Sequence, residues 1–278
     1  MKPSFCSNVC LIIIYTRIQF DDYGGEFMKI STVYNYIDTI APFCEQMPFD
    51  NAGLLVGDRN AEFNKALLAL DITPAVVAEA IEKGCELIIS HHPVIFSPIK
   101  RCLSDSVPYL LAKHGLTAIC AHTNFDKAKG GVNDTLCKAL GIDCNGIEQV
   151  NQEYRVGVLP CAMPACAFAK LVAERLHTVV RLTCPEKTVQ KVAVCGGAGS
   201  DYYEEACARG ADLLLTGEVK HHEFLAADAL GFSIAAAGHF ETENIAIKPL
   251  LDKIPYDPKL WLNVLITLEC EDDMRFSN

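Results

Sequence analysis

The sequence has 278 residues, half of them hydrophobic, with 35 acidic against 24 basic side chains. A chain of this length and composition can bury a sizeable core, in one large domain or in two of ordinary size. The net charge of −11 and the lack of a Lys/Arg cluster argue against a nucleic-acid-binding protein, which needs a basic face. We therefore expect the partner to be a small molecule, a metal or another protein.

Residues 1–27 do not fit the rest of the chain. Their apolar run, Val9 to Ile14, is about six residues long, which is short for a secretory signal and far too short to span a membrane. An amphipathic helix pattern begins after Met28, with Ser31 or Thr32 as its candidate cap. We expect residues 1–27 to be a non-native translated leader or a disordered segment, and we expect no association with a membrane.

The 14 cysteines are scattered, and no Cys-x-x-Cys pair occurs. In a long aliphatic chain this pattern indicates reduced, buried thiols of a cytoplasmic protein rather than a disulfide framework. The closest pairs, Cys6/Cys10 and Cys161/Cys166, have poor spacing for a structural zinc site.

The chain contains an internal repeat. Residues 65–90, "KALLALDITPAVVAEAIEKGCELIIS", resemble residues 191–216, "KVAVCGGAGSDYYEEACARGADLLLT", at a constant offset of 126. A second resemblance links residues 115–126 with residues 231–243. Each copy has the pattern strand–helix–strand–helix–strand, which predicts a largely parallel sheet covered by helices. Chance similarity between such units is the alternative explanation.

We therefore predict an α/β protein of two similar three-layer halves that arose by internal duplication. The first half spans residues 28–147 and the second spans residues 148–278, with a C-terminal strand that can return to the first half. In parallel sheets, ligands bind beyond the carboxyl ends of the strands. Six of the eight histidines follow predicted strands: His91, His92, His122, His221, His222 and His239. We expect a site there and assign no function to His114 and His177.

The strand-end residues have the chemistry of a metal site. Adjacent residues that leave a strand point in different directions, so His91 and His92 can each serve one of two neighbouring ions. Carboxylates follow the other strand ends at a spacing of four, in the pairs His122/Asp126 and His239/Glu243. Mixed nitrogen and oxygen ligands suit Zn, Fe, Mn or Co.

Each of these residues also has a structural interpretation. A single histidine at a strand end is more often a hydrogen-bonded structural residue. Asp126 could instead cap a helix, and Glu243 could be a carboxylate favoured by the dipole in the first turn of a helix over residues 241–251, which Pro249 would bend or end. Residues 196–200, "GGAGS", could hold a phosphate on their amides, but a plain tight turn is the alternative, because the Walker lysine is missing.

Taken together, the motifs resemble the GTP cyclohydrolase 1 type 2 family, the Nif-three-like dinuclear metal-centre proteins. The matching segments are "FDNAGLLVGD" (49–58), "SHHP" (90–93), "HTNFD" (122–126), "GVND" (131–134), "TGEVKHH" (216–222) and "GHFETE" (238–243). The sequence departs from the family at Phe49, where Trp is frequent, and in residues 1–27, which have no counterpart.

The resemblance implies two divalent metal ions per chain, held in a metal site at the junction of the two halves. By motif position, His91 and His239 would hold one ion, His92 and Asp126 the other, and Glu243 would bridge them. It also implies a homohexamer in which the sites face an internal cavity.

The implied reaction is hydrolytic opening of the imidazole ring of GTP by metal-bound hydroxide. Candidate proton-transfer residues are His122, Glu218, His221 and His222. Nothing in the sequence recognises guanine, so the substrate rests on the resemblance. Two alternatives stay open: a non-catalytic hexameric metal-binding protein with a regulatory role, and a two-metal phosphoesterase.

Overall fold

The computed structural model describes residues 28–145, 147, 152–253 and 263–266. The hypothesis about residues 1–27 lies outside the described residues. The predicted boundary between the halves, near residue 147, falls between the last helix of the first half and the first strand of the second.

The first half alternates short strands and helices. Its elements are β1 (Met28–Lys29), α1 (Ile30–Ile40), β2 (Gly53–Val56), β3 (Glu62–Phe63), β4 (Lys65–Ala69), α2 (Pro74–Glu82), β5 (Leu87–Ser90), α3 (Val107–Lys113), β6 (Thr117–Cys120), α4 (Thr123–Lys127) and α5 (Val132–Leu140). A 3₁₀ turn, Phe43–Glu45, precedes β2.

The second half repeats this alternation. Its elements are β7 (Arg155–Pro164), α6 (Ala165–Leu176), β8 (Arg181–Leu182), β9 (Thr188–Val194), α7 (Tyr203–Ala208), β10 (Leu213–Thr216), α8 (His221–Ala229), β11 (Ser233–Ala236), α9 (His239–Glu243), α10 (Ile247–Lys253) and β12 (Asn263–Ile266). Two 3₁₀ turns, Ser200–Tyr202 and Asn244–Ala246, precede α7 and α10.

The two large sheets have matching strand orders. The first sheet has the order β12-β4-β5-β6-β2, and the second has the order β7-β9-β10-β11-β8. In both sheets the three central strands are parallel, and an antiparallel edge strand that comes earlier in the chain, β2 or β8, pairs with the last of them. The other edges differ, because β12 pairs in parallel with β4 whereas β7 is antiparallel to β9. The shared order is compatible with the predicted duplication.

Helices cover both faces of each sheet. Along β4 and β5, Leu67 and Ile88 pack against α2 and α3, whereas their neighbours Leu68 and Ile89 pack against α1 and α10. Successive residues of a strand face opposite sides, so both faces of these strands need apolar residues. The second sheet is covered in the same way by α6 on one face and by α7 and α8 on the other. The predicted three-layer α/β architecture is confirmed.

The junction of the halves is formed by α5. Val132, in its first turn, packs into the core beside the first sheet, whereas Leu136 and Leu140 pack into the core beside the second. Helix α5 ends at Gly141, whose φ of 70° lies in the left-handed region that glycine adopts without steric cost. The central strands of the first sheet end at one level, since Ser90 pairs with both Ala69 and Cys120. Side chains that follow these strands therefore emerge side by side.

Two details differ from the sequence predictions. Helix α1 begins at Ile30, ahead of Ser31 and Thr32, because burial of Ile30 rather than a side-chain cap places its start. The cysteines that the structure describes are free thiols, but several are exposed: Cys44, Cys102, Cys161 and Cys166. Their predicted burial is wrong because they lie on solvent-facing positions of turns, strands and helices. Within the described residues, no helix combines the length and apolarity needed to cross a bilayer.

Candidate metal centre

The predicted ligands converge where the two halves meet. His91 and His92 directly follow β5, and Asp126 lies in α4, one turn after His122. His239 and Glu243 are the first and last residues of α9. The helix predicted over residues 241–251 is therefore wrong in its bounds: a short helix begins at His239 itself, and Pro249 lies in the first turn of α10, where its missing N–H disrupts no helical bond.

Glu243 lies at the centre of the cluster. Its Oε2 is 2.8 Å from His92 Nε2, 3.0 Å from His239 Nε2 and 3.8 Å from His91 Nε2. The side chain is only 4% exposed, so its charge is shielded from bulk water. Asp126 Oδ1 lies 3.4 Å from His91 Nε2 on the far side. All five predicted ligands thus share one small volume.

The side chains group differently from the pairing that the resemblance implied. One group with ligand atoms within 4.8 Å of one another contains His91, Asp126 and Glu243, and another contains His92, His239 and Glu243. His92 Nε2 and His239 Nε2 are 3.2 Å apart. His91 turns towards Asp126 of α4 in its own half, whereas its neighbour His92 faces His239 of the second half. The pairing of His91 with His239 stays a prediction of the resemblance, which this grouping does not favour. Glu243 keeps the shared position.

The imidazoles of the cluster and of the adjacent His122 are held through Nδ1. Every partner is a backbone carbonyl oxygen or an oxygen of an ionised carboxylate, and such oxygens accept hydrogen bonds but cannot donate them. Each Nδ1–H is therefore the donor, and each Nε2 is left to face the centre of the cluster. Each hydrogen bond is 2.8 Å long, and the pairs are His91 with Ala121 O, His92 with Asp71 Oδ1, His122 with Asp50 Oδ1, and His239 with Glu218 Oε1. Histidines that bind metals are typically oriented by a carboxylate or carbonyl in this way.

Two buried polar atoms at the centre lack hydrogen-bond partners among the described residues. They are His91 Nε2 and Asp126 Oδ1. Buried polar atoms are almost always paired, because an unpaired one costs about 1–3 kcal/mol. A cation between them would satisfy both atoms. The donor set of imidazole nitrogens and carboxylate oxygens therefore fits divalent transition metals.

The charges of the cluster shift its pKa values strongly. Burial alone would lower the pKa of His91, but the carboxylates of Asp126 and Glu243 raise it well above 6.5. Burial would likewise lower the pKa of His239, but the carboxylates of Glu243 and Glu218 outweigh it and raise this pKa to about 9. Burial would raise the pKa of Glu243, yet the imidazoles hold it well below 4.5. Without metal the cluster thus retains protons, which a divalent cation would replace.

The predicted catalytic residues take three different positions. His122 lines the cavity beside the cluster. Glu218 is 61% exposed and holds His239, so it orients a ligand rather than facing the reacting space. His221 and His222 are exposed at the start of α8, and none of the described contacts of the cluster involves them.

Sequence reasoning missed two carboxylates. Asp71 lies two residues beyond β4, so the strand-end rule would have found it if applied to carboxylates as well as histidines. The strand-end rule could not have found Asp50, because this residue precedes β2 and contacts His122, which is 72 residues away in the chain. Burial would raise its pKa, but hydrogen bonds with His122 and Thr123 lower it to about 2.

The glycine-rich loop at residues 196–200 supports Glu243 from behind. The amides of Gly196, Gly197 and Gly199 donate to side-chain oxygens of the protein itself, on Asn133, Thr242 and Thr216. A Cβ added at Gly197 would lie 2.1 Å from Glu243 Oε1. The loop is therefore a tight turn against the ligand, and these three amides are not available to cradle a phosphate.

The cluster opens into a cavity of about 470 Å³. This volume lies within the range of small-molecule sites. Its inner wall is formed by His92, His122, Asp126, His239 and Glu243, and its outer wall includes Phe49, Phe96 and Tyr202.

Fold and site together define a class of protein: two three-layer α/β halves with a histidine and carboxylate cluster at their junction. The family model Duf34/NIF3 (NGG1p interacting factor 3) matches residues 28–270. The chain therefore belongs to the Duf34/NIF3 family, which confirms the family resemblance seen in the sequence.

Individual proteins agree with this assignment. The protein named GTP cyclohydrolase 1 type 2 homolog of Clostridium perfringens is 31% identical over 261 residues, covering 90% of this chain and 100% of that protein. The homolog of the same name from Clostridium acetobutylicum is 34% identical over 232 residues, covering 78% and 85%. Among solved structures, the Staphylococcus aureus hypothetical protein SA1388 has a TM-score of 0.81 at 26% identity, covering 90% of this chain and 100% of that one.

Proposed function

We propose that the protein is a metal-dependent hydrolase with two divalent cations per chain. His91 and Asp126 would hold one cation, His92 and His239 the other, and Glu243 would contact both. When bound, such ions polarise a substrate oxygen or nitrogen and increase the acidity of water. The observation that carries the proposal is the inward orientation of the Nε2 atoms around Glu243. Two of the buried atoms there, His91 Nε2 and Asp126 Oδ1, have no hydrogen bond within the described part of the chain.

His122 is the residue that we assign to proton transfer. Its Nδ1 is held by Asp50 at 2.8 Å, and its ring is 5.3 Å from that of His91 and 5.6 Å from that of His92. The fixed Nδ1–H leaves Nε2 to accept a proton from, or return it to, a group in the cavity. Asp50 stabilises the charged ring that forms when Nε2 is protonated.

The substrate class that we propose is a purine nucleotide, with opening of the imidazole ring by hydrolysis. Support comes from the relatives whose names contain GTP cyclohydrolase 1 type 2. A homohexamer in the cytoplasm is part of the same proposal, and it rests on the family resemblance.

The test combines metal analysis with turnover by the full-length protein. We expect about two metal equivalents per chain by inductively coupled plasma mass spectrometry, and fewer in His91→Ala. Loss of guanine absorbance, with release of formate, would report ring opening by the loaded protein. His122→Gln should reduce turnover by about 10²–10⁴-fold and keep the metal. His114→Gln, an exposed histidine outside the cluster, is the matched control.

A second candidate function is that of a metal-binding regulatory protein without catalysis. The family description, which refers to interaction with NGG1p, favours it. This candidate predicts full metal content but no rate above background on any nucleotide. Phosphate release without change in guanine absorbance would instead indicate a phosphoesterase.

A further inference from the structure

Two phenylalanine rings at the mouth of the cavity are exposed to solvent. Phe49 is 61% exposed and Phe96 is 50% exposed, although both line the cavity beside the cluster. Their ring centroids are 6.3 Å apart, and the ring planes are inclined at 53°. The exposed rings contribute little to the core, so folding does not explain an aromatic pair beside a polar site.

Hydrogen bonds between loops hold these rings in place. Asn51 Nδ2 donates to Ile95 O at 2.6 Å and joins the loop before β2 to the loop after β5. The Thr123 amide donates to Asp50 at 3.0 Å, and the Met47 amide donates to Thr123 Oγ1 at 2.9 Å. Both loops are therefore tied to the wall of the cavity, and the rings are positioned before a ligand arrives.

The aromatic surface is continuous with the cluster. The Phe96 ring lies 6.2 Å from the His122 ring, nearly perpendicular to it at 82°. A flat ligand on the phenylalanines would thus present its edge to His122 and the carboxylates behind it. An aliphatic or spherical ligand would gain much less from this geometry.

A protein partner would use a wider surface. The segment between β5 and α3 also carries Ile99 and Leu103, which are 52% and 58% exposed. These two are not among the described residues that line the cavity. A second copy of the chain would cover all four side chains, whereas a small ligand would contact only Phe49 and Phe96. Their place on the wall of a cavity of about 470 Å³ favours the small ligand.

We propose that Phe49 and Phe96 form a stacking platform that selects ligands with a planar heteroaromatic ring. This inference rests on the proposed function, since it defines the substrate class of the same site. Every nucleobase has a π-face, so stacking tolerates different bases. The platform therefore selects for a flat ring without distinguishing guanine from adenine.

The test uses the fluorescent nucleoside 2-aminopurine riboside, titrated into the zinc-loaded full-length protein. Quenching of its fluorescence gives Kd, and ribose 5-phosphate, which lacks the heteroaromatic base, is the control competitor. Phe49→Ala and Phe96→Ala should each raise Kd by about tenfold, the effect expected for loss of one stacking partner. Phe96→Leu should fall between Phe96→Ala and wild type. Leu230→Ala, at 61% exposure directly after the last residue of α8, is the matched control and should bind as wild type does.

Each outcome bears on the platform. Equal Kd values in all variants overturn it. So does a fall in assembly mass by light scattering in the phenylalanine variants, which would assign the rings to a contact between copies. Wild type that holds two metals but does not bind the nucleoside overturns the platform and leaves the proposed two-metal hydrolase standing. Wild type without metal contradicts the proposed function, and the same titration on metal-free protein still decides the platform.

Discussion

The two halves share a strand order but use equivalent strand ends differently. In the first half, His91 and His92 follow β5, whereas at the repeat offset Gly217 and Glu218 follow β10. A Cβ at Gly217 would lie 2.7 Å from Gly197 O and 2.8 Å from Gly238 O. The second half thus uses this position for close backbone packing, and it supplies its own ligands from α9.

This difference shows how two halves with the same central strand order can divide their tasks. One half places its predicted ligands directly on a strand end, and the other packs its loops tightly to bring His239 and Glu243 to the same point. Such a division makes the cluster asymmetric around Glu243. Substitutions in the first half and in the second half should therefore change metal affinity and stability in different ways.

The largest expected effect comes from the residue that both groups share. Glu243→Gln keeps the shape of the side chain but removes its charge from beside three imidazoles. We expect metal affinity to fall by more than about 100-fold, beyond the range for a residue that only orients a ligand. Metal content after dialysis measures this. Glu241→Gln, on the same helix but outside the cluster, should retain its metal; loss from both variants would contradict the central role of Glu243.

Two glycines with similar backbone conformations allow the cost of backbone strain to be distinguished from the cost of a steric clash. Gly84 in the first half and Gly197 in the second have φ of +65° and +60°. A Cβ at Gly84 meets nothing within 4 Å, so Gly84→Ala should cost about 1 kcal/mol of unfolding free energy, from its backbone alone. Gly197→Ala should cost about 1–3 kcal/mol more and also lower metal content, because its Cβ displaces Glu243. Urea unfolding measures both; equal costs would refute the supporting role of the loop.

Asp50 should link stability to pH in the first half. Its folded pKa of about 2 lies below the usual 3.8, so its contribution is complete above pH 3.8 and is lost as pH falls through 2. The side chain is buried, and the shift corresponds to about 2 kcal/mol at neutral pH. Asp50→Asn should therefore be less stable than wild type at pH 7, with a gap that narrows below pH 4 in urea titrations. Asp201→Asn, 80% exposed, is the control; a gap independent of pH would argue against this role.

The smallest effects should come from the carboxylates behind His92 and His239. Asp71→Asn and Glu218→Gln each weaken an orienting hydrogen bond, and such changes lower metal affinity by about 10–100-fold. Because Asp71 is 51% exposed and Glu218 is 61% exposed, we expect about tenfold for each. Competition with a chelating dye measures the affinities. A large effect in only one half would show that the halves hold their ligands unequally.

Much of the site could be predicted from local patterns. His91 and His92 stop a buried apolar run, and the pairs at a spacing of four place carboxylates near other strand ends. These signals lie within a few residues of each strand, so the rule for parallel sheets predicts that the candidate ligands of each half gather at one edge of its sheet. That the two halves bring these edges together was implied by the family resemblance. The metal role of these residues stays a prediction.

Other features were invisible because they depend on distant segments. Asp50 meets His122 across 72 residues, and Asn51 ties its loop to Ile95 across 44. The start of α9 at His239 was missed because no local cap marks it; Gly238, with φ of 89°, turns the chain there.

By itself, the sequence determined the α/β class, the repeated unit, the strand ends that carry histidines and the family. Periodicity and short spacings encode these features directly. Only the tertiary structure decided which imidazoles group together, which acceptors hold each Nδ1, and that two phenylalanines remain exposed beside the cluster. Those features depend on side-chain directions and on contacts between loops far apart in the chain, which a linear pattern does not contain.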